Sequence, residues 1–191
     1  MVAAKAATQL GYTLLGLVLA KPQSGYALRK VFETTPLGNY SSSPGSIYPA
    51  LKALEKAGLV ERRSAAGGGG KQLFAPTSAG EAQFGEWLAR PVDEEAMARH
   101  LDGVLLRFAF LQFDPDPGVS RDFLISFEAA AWARARALEA FLDGEAGRAL
   151  SLHARLAVGH GLENIRSSAR WAADARRQLG DKAEEGNDDE G

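Results

Sequence analysis

Four consecutive glycines at 67–70 stand between two stretches of strand character, Leu59-Val60-Glu61-Arg62-Arg63 and Lys71-Gln72-Leu73-Phe74-Ala75. Glycine is a poor helix former, and a run of it between two apolar-polar stretches is where a chain reverses. The pattern predicts a β-hairpin with a loose tip. A hairpin of two short strands cannot stand alone in water and must lie on a core supplied by its neighbours.

Those neighbours read as helices. The first spans residues 8–20, with Leu10, Leu14, Leu17 and Val18 at helical spacing, and Lys21-Pro22 ends it. A single Lys5 before this run makes a poor secretion signal, and the run is too short to span a bilayer. It is expected to be a buried helix. Ser24 caps a second helix over residues 25–35, whose expected apolar face is Tyr26, Ala27, Leu28 and Val31. A loop at residues 35–39 follows. Ser43 and Pro44 then form a start signal for a third helix. Pro49 either moves its true start towards Ser46 or distorts its first turn. Ile47, Leu51 and Leu54 make one stripe, and Gly58 followed by Leu59 is a C-terminal stop.

After the hairpin, Ser78-Ala79-Gly80-Glu81 reads as a capping box, opening a helix through Phe84, Trp87 and Leu88 that Arg90-Pro91 closes. Three more helical stretches follow, over residues 93–113, 119–142 and 146–179. Asp114-Pro115-Asp116-Pro117, Asp143-Gly144 and Gly180 separate or end them. Helices this long bury faces against each other or against a second chain. The acidic tail, residues 181–191, is expected to be disordered. The fold expected is mainly α: an N-terminal winged helix-turn-helix with a two-stranded β wing over residues 1–90, then an α-helical C-terminal dimerisation domain over 91–180.

Charge supports a division of labour. Residues 1–80 hold nine basic and three acidic side chains, a net of +6, while the remainder holds 13 basic and 21 acidic, a net of −8. The tail accounts for most of the acidic excess. It does not account for the basic half, which is the footprint of a polyanion-binding surface. The chain has no cysteine, which rules out a disulfide framework, a thiolate zinc site and a cysteine nucleophile, and fits a cytoplasmic location. Gly70-Lys71-Gln72 fails the spacing of a phosphate-binding P-loop. His100, His153 and His160 offer no chelating pair, and no paired-carboxylate or nucleophile-base arrangement stands out. No enzyme activity, cofactor, metal or membrane partner is expected.

Three helices followed by a basic hairpin is the element order of a winged helix, whose third helix enters the DNA major groove while the hairpin lies on the flanking backbone. Ser41, Ser42, Ser43 and Ser46 would then bond phosphates together with the amides of the helix start. Gly45 would allow close backbone approach. Tyr48 and Lys52, with Pro49 beside them, would face bases or phosphates away from the Ile47-Leu51-Leu54 stripe. Arg63 and Lys71 would meet phosphate from the wing. Arg62 and Arg63 lie on opposite strand faces, so at most one is expected to touch DNA. Tyr26 is expected to pack rather than to contact DNA.

The stretch "GSIYPALKALEKAGLV" at 45–60 resembles the recognition helix of the PadR family of bacterial transcriptional regulators, and "SGYAL" at 24–28 resembles that family's second helix. "KQLFAPTSAG" at 71–80 is similar to its wing strand, which ends in Leu-Thr-x-x-Gly; here Pro76 stands for the Leu, Leu73-Phe74 for a common Tyr pair, and Gln72 at a usually basic position. The resemblance covers about residues 8–80 and is looser over 92–111. It implies a homodimer on successive major grooves of a near-palindromic operator, its interface in the C-terminal helices. It also implies a repressor released by a small hydrophobic or aromatic ligand.

Trp87, Trp132 and Trp171 are first of all packing anchors. They are also candidates, with Phe108 and Phe127, to line an apolar effector cavity between two subunits. His153, His160 and Asn164 share a helix and read as a polar seam that could set dimer register. The alternative reading, from a different class, is a protein–protein adaptor that reuses a winged helix without binding DNA. A pI near 6.0 and a lightly charged wing are what favour it.

Overall fold

The computed structural model describes residues 7–35, 37, 44–64 and 72–188. Contacts divide the chain into two units, Met1–Leu88 and Ala89–Gly191.

The first unit is built on α1 (Gln9–Ala20), α2 (Gly25–Thr34) and α3 (Ile47–Lys56), the strands β1 (Val60–Ser64) and β2 (Gln72–Pro76), and α4 (Ser78–Leu88). Thr8 and Ser24 cap α1 and α2 by accepting from the amides of Gly11 and Ala27. Leu14, Leu15 and Val18 of α1, Leu28 of α2 and Ile47 and Leu51 of α3 are fully buried together. The buried face of α2 is Gly25, Leu28 and Phe32; of the expected face only Leu28 is buried, while Tyr26 is exposed and Ala27 and Val31 are half-buried. Tyr26 points out and is 64% exposed. Residues 25, 28 and 32 follow the i, i+3, i+7 spacing of a helix face, and Tyr26 falls outside it.

The hairpin is antiparallel, with Val60 opposite Pro76, Arg62 opposite Phe74 and Ser64 opposite Gln72. One feature has no sequence signal. Gln23, in the turn between α1 and α2, exchanges both backbone hydrogen bonds with Phe74 (3.1 and 2.8 Å). Its side-chain amide also donates to the Leu17 carbonyl (3.0 Å). The turn therefore acts as a one-residue third strand and fixes the wing base to the helices.

Gly58, at φ 72°, ends α3 in the left-handed conformation, and across it the Leu59 amide donates to the Leu54 carbonyl (3.0 Å). At α4 the cap is Thr77, one residue before the expected Ser78: its hydroxyl accepts from the Gly80 amide (3.1 Å) and donates to the Gly58 carbonyl (2.6 Å). Thr77 thus joins the end of α3 to the start of α4.

The second unit holds α5 (Glu94–Arg99), α6 (Leu101–Phe110), α7 (Pro117–Asp143), the short α8 (Glu145–Arg148) and α9 (Leu152–Asp188). Two stretches expected to be single helices are broken. His100 both ends α5 and starts α6. The turn at residues 149–151 separates α8 from α9, where Ser151 caps the Ala154 amide. Neither break carries a proline. Helical backbone also runs past Gly180 to Asp188, since a lone glycine costs only about 1 kcal/mol in a helix.

α7 and α9 are antiparallel, as their cross-pairs require: Glu139 with Arg166, and Glu128 with Arg176 (3.2 Å). Buried Ala130, Ala131, Ala135, Ala169 and Ala172 let the two backbones come close. Among the described residues no helix is long and apolar enough to cross a membrane, and no cluster could hold a metal ion.

Candidate nucleic-acid interface

A 3-10 turn, Pro44–Ser46, leads into α3. With the helix starting at Ile47, Pro49 is its third residue, where the amide has no partner inside the helix and its loss costs nothing. Ala50, Leu51, Lys52, Ala53, Leu54, Glu55 and Lys56 are strong helix formers and carry it on.

The helix shows three faces. Ile47, Leu51 and Leu54 are buried. Ala50, Ala53 and Ala57 line, with Gly11 and Thr8, a shallow apolar groove of about 230 Å³ against α1. The third face carries Tyr48, 45% exposed, with Lys52 and Lys56 at i+4 and i+8. Gly45 and Pro49 are exposed on the same approach, and Ser46 is half-buried. Tyr48, Pro49, Lys52, Gly45 and Ser46 thus lie together at one end and along one side of α3. Lys56 was missed in the sequence, although its spacing from Lys52 marks it. Ser41, Ser42, Ser43 and Lys71, as well as the glycine run at 67–70, lie outside the described residues.

Electrostatics sort the basic residues of this unit into two sets. Arg29 pairs with Glu33 (3.0 Å), Arg62 with Glu55 (2.9 Å) and Arg63 with Glu61 (2.6 Å). Each of the three acids of residues 1–80 is thereby matched by an arginine. Lys21, Lys30, Lys52 and Lys56 are exposed and make no ion pair among the described residues. The positive excess is therefore carried by lysines. Arg62 does more than pair: its guanidinium lies over the Phe74 ring (5.4 Å), so it ties α3 to both strands of the wing. Arg63 is exposed at the wing edge beside Glu61, its charge already partly answered. Arg29 lies over the outward Tyr26 ring (5.9 Å).

The aromatic candidates fall into separate places. Trp87 belongs to the first unit, stacked on Tyr12 at 4.6 Å with the rings 3° from parallel, and against Phe84 at 5.4 Å. In the second unit Trp171 stands edge-on to Phe108 (5.2 Å) and Phe127 (5.3 Å), and Phe123 touches both phenylalanines. Trp132 is half-buried on α7. His153, His160 and Asn164 are exposed on α9, where Asn164 and His160 share a hydrogen bond (3.1 Å). Buried Arg107 lies over Phe123 (4.9 Å). Burial, with help from nearby Arg90 and against the pull of Asp93, lowers its pKa to about 10.

The whole first unit is thus a winged helix whose third helix is exposed along a Tyr-Lys-Lys stripe. Residues 14–86 match the family described as "Transcriptional regulator PadR-like family". That match lies within the first unit and covers less than half of the chain. "Transcriptional regulator YqjI" of Escherichia coli (strain K12) is 35% identical over 80 residues, 42% of this chain, and the match spans only 36% of that relative's length. A YqjI protein of Shigella flexneri matches to the same extent. Among solved structures, the PadR-like regulator BC1756 of Bacillus cereus is 20% identical at a TM-score of 0.42, over 93% of this chain and 99% of that one. Bacillus subtilis PadR in complex with operator DNA is 22% identical at 0.40, over 90% and 99%. The same protein with p-coumaric acid is 21% identical at 0.39, over 90% and 96%. Within the matched stretch, Thr77 and Gly80 form the Thr-x-x-Gly at the wing's end, and their cap and close approach give that spacing a physical reason.

Proposed function

We propose that the chain is a DNA-binding transcriptional regulator, a homodimeric repressor whose operator binding is relieved by a small hydrophobic or aromatic ligand. The observation that carries this reading is the exposed stripe of Tyr48, Lys52 and Lys56 on α3, in a stretch, residues 1–80, whose three acids are each matched by an arginine. Residues 1–90 bind duplex DNA. Tyr48, Pro49 and Lys52 face the major groove, Gly45 and Ser46 let the backbone approach phosphate, and Ser41, Ser42, Ser43, Arg63 and Lys71 bind the flanking backbone. Residues 91–180 dimerise and hold the ligand, and a cytoplasmic location goes with this role. Leu152 and Leu156 on α9 and Phe141 on α7 support dimerisation, because large apolar side chains at one end of a helix hairpin are costly to leave in water. His153, His160 and Asn164 lie along the same helix. For the ligand, Trp132 and the ring cluster of Phe108, Phe127 and Trp171 supply flat apolar walls. Trp87, stacked on Tyr12, is part of the core of the first unit.

The test is a fluorescence-anisotropy titration at two salt concentrations, on DNA upstream of the protein's own reading frame and on a scrambled duplex, then on genome-derived fragments. Affinity should fall with salt at a log–log slope of about −0.9 per phosphate neutralised, and Lys52→Ala should reduce that slope by about 1. Equal, salt-insensitive binding to every duplex would overturn the reading in favour of an adaptor. Sedimentation equilibrium at the monomer mass would overturn the dimer. Unchanged tryptophan emission and DNA affinity across a panel of hydroxycinnamates and other planar aromatics would overturn the ligand.

A further inference from the structure

Gly25 is the first residue of α2, immediately after the Ser24 cap, and it is buried. Its backbone does not have a positive φ, so conformational freedom is not what glycine supplies here. Space is. A methyl group at Gly25 would stand 2.8 Å from Cε1 and 3.5 Å from Cδ1 of the Tyr48 ring, and 3.6 Å from Leu51 Cδ1. The first distance is well inside van der Waals contact; the last is ordinary contact. The Tyr48 ring therefore rests on the bare backbone at the start of α2, with its other side open.

We propose that Gly25 is a positioning residue for Tyr48: the missing side chain is a seat that holds the ring at one angle on the DNA-facing side of α3. This rests on the reading in which Tyr48 touches DNA. A ring held by one exposed helix alone would swing among its rotamers, and each contact to DNA would first have to freeze that motion. With α2 beneath it, the ring is already placed. Adding a methyl at Gly25 pushes the ring, because Leu51 is fixed in the core while the half-exposed tyrosine can turn. The Ser24 cap bonds the Ala27 amide and does not involve the Gly25 side-chain position, so α2 keeps its start.

The experiment is a double-mutant cycle on the full chain with the duplex that the wild type selects from genome-derived fragments. Affinity and melting temperature are measured for Gly25→Ala, Tyr48→Ala and the pair. Tyr48→Ala should weaken binding about tenfold, and Gly25→Ala about fivefold, the scale of losing one good base contact. In the Tyr48→Ala background the glycine substitution should change affinity less than about twofold, the non-additivity expected of groups in contact. A fall in the melting temperature of Gly25→Ala that removing the ring reverses, with affinity unchanged, would show only that the two groups touch, and would refute the positioning role. Unchanged binding by Tyr48→Ala refutes the DNA reading itself. A Tyr48→Ala loss without any effect of Gly25→Ala, or a Gly25→Ala effect of equal size in both backgrounds, refutes the positioning role alone.

Discussion

Gly80 and Gly85 lie on the same helix, and the structure predicts opposite consequences for the same substitution. A methyl at Gly80 would stand 2.0 Å from the carbonyl oxygen of Leu59 and 3.0 Å from its carbon, both backbone atoms. Ordinary carbon–oxygen contact needs about 3.3 Å, so α4 and the residue before β1 must part by roughly 1.3 Å. No side-chain rotation can relieve this. The approach is pinned by the Thr77 amide donating to Leu59 O (3.2 Å) and the Thr77 hydroxyl donating to Gly58 O (2.6 Å). Losing both bonds costs about 1–3 kcal/mol, and overpacking a further ~1–3 kcal/mol, against a helix-propensity gain of about 0.5–1 kcal/mol. The net is a loss of roughly 2–4 kcal/mol for Gly80→Ala, or a fall in melting temperature of about 10 °C or more for a unit of this size. A methyl at Gly85 meets nothing within 4 Å, so Gly85→Ala should be neutral or stabilise by up to about 1 kcal/mol. Thermal unfolding by circular dichroism, with hydrogen exchange of the α1 and α4 peptides to localise the loss, reads both. Exchange should rise along α1 as well, because Trp87 on α4 stacks on Tyr12. If Gly80→Ala melts within 1 kcal/mol of wild type, or Gly85→Ala is the worse of the two, the close approach at Leu59 is not what the glycine serves.

Three other substitutions have expected outcomes. Arg62→Gln removes an ion pair and a ring contact at a half-exposed position, and should cost about 1 kcal/mol in urea titration; a cycle with Glu55→Gln should recover about half of it as coupling. Asp116→Ala removes the N-cap of α7, where the carboxylate accepts from the Gly118 amide (2.8 Å), and should cost about 1 kcal/mol in the same assay. Arg107, lowered from the usual arginine range to about 10, is a cation whose charged form the fold disfavours. Its contribution is unfavourable at every pH below about 10 and fades only as the pH climbs from about 10 towards the usual arginine range. Arg107→Met, which keeps the stem and removes the charge, should therefore leave stability at pH 7 within about 1.5 kcal/mol of wild type or raise it. A loss above 3 kcal/mol would show that the charge itself holds the second unit together.

Which parts of this were legible beforehand follows from how local each cause is. The Ile47-Leu51-Leu54 stripe, the Gly58 stop and the two paired strands depend on residues close in sequence, and they stand where the pattern puts them. Tyr26 misled because aromatic character was weighed above spacing, while the 25-28-32 face was there to be counted. The start of α4 was misjudged by one residue because Thr77 serves two partners: the hydroxyl that caps Gly80 is also held by Gly58, nineteen positions earlier. Gln23 joining the wing, and Arg62 crossing from β1 to α3, are tertiary bonds with no sequence period. The breaks at His100 and before Ser151 are of the same kind, since neither stretch holds a residue that must end a helix. At the candidate interface, the exposure of Tyr48 and Lys52 away from the Ile47-Leu51-Leu54 stripe was readable; that Gly25 makes room for the ring was not.

The division between arginines and lysines bears on how such a surface would read sequence. Arg62 and Arg63 are held by Glu55 and Glu61, and α3 itself carries no Arg, Asn or Gln. The bidentate pairings to guanine through arginine and to adenine through an amide are therefore not offered by this helix. What its exposed side offers is lysine, a mobile point charge suited to phosphate or guanine, and apolar surface on Tyr48 and Pro49. Apolar surface in the major groove distinguishes bases chiefly by the thymine methyl. On the proposed reading, then, salt-dependent affinity and base choice come from different residues. Replacing thymine by deoxyuridine at the steps protected by the protein should weaken binding by about 1 kcal/mol at one or two positions, in proportion at both salt concentrations. The Tyr48→Ala variant should lose that discrimination, while Lys52→Ala keeps it and instead lowers the salt slope by about 1. If deoxyuridine is read as well as thymine, and 7-deazaguanine substitution is what abolishes binding, the lysines are the base readers and the tyrosine only packs against the backbone.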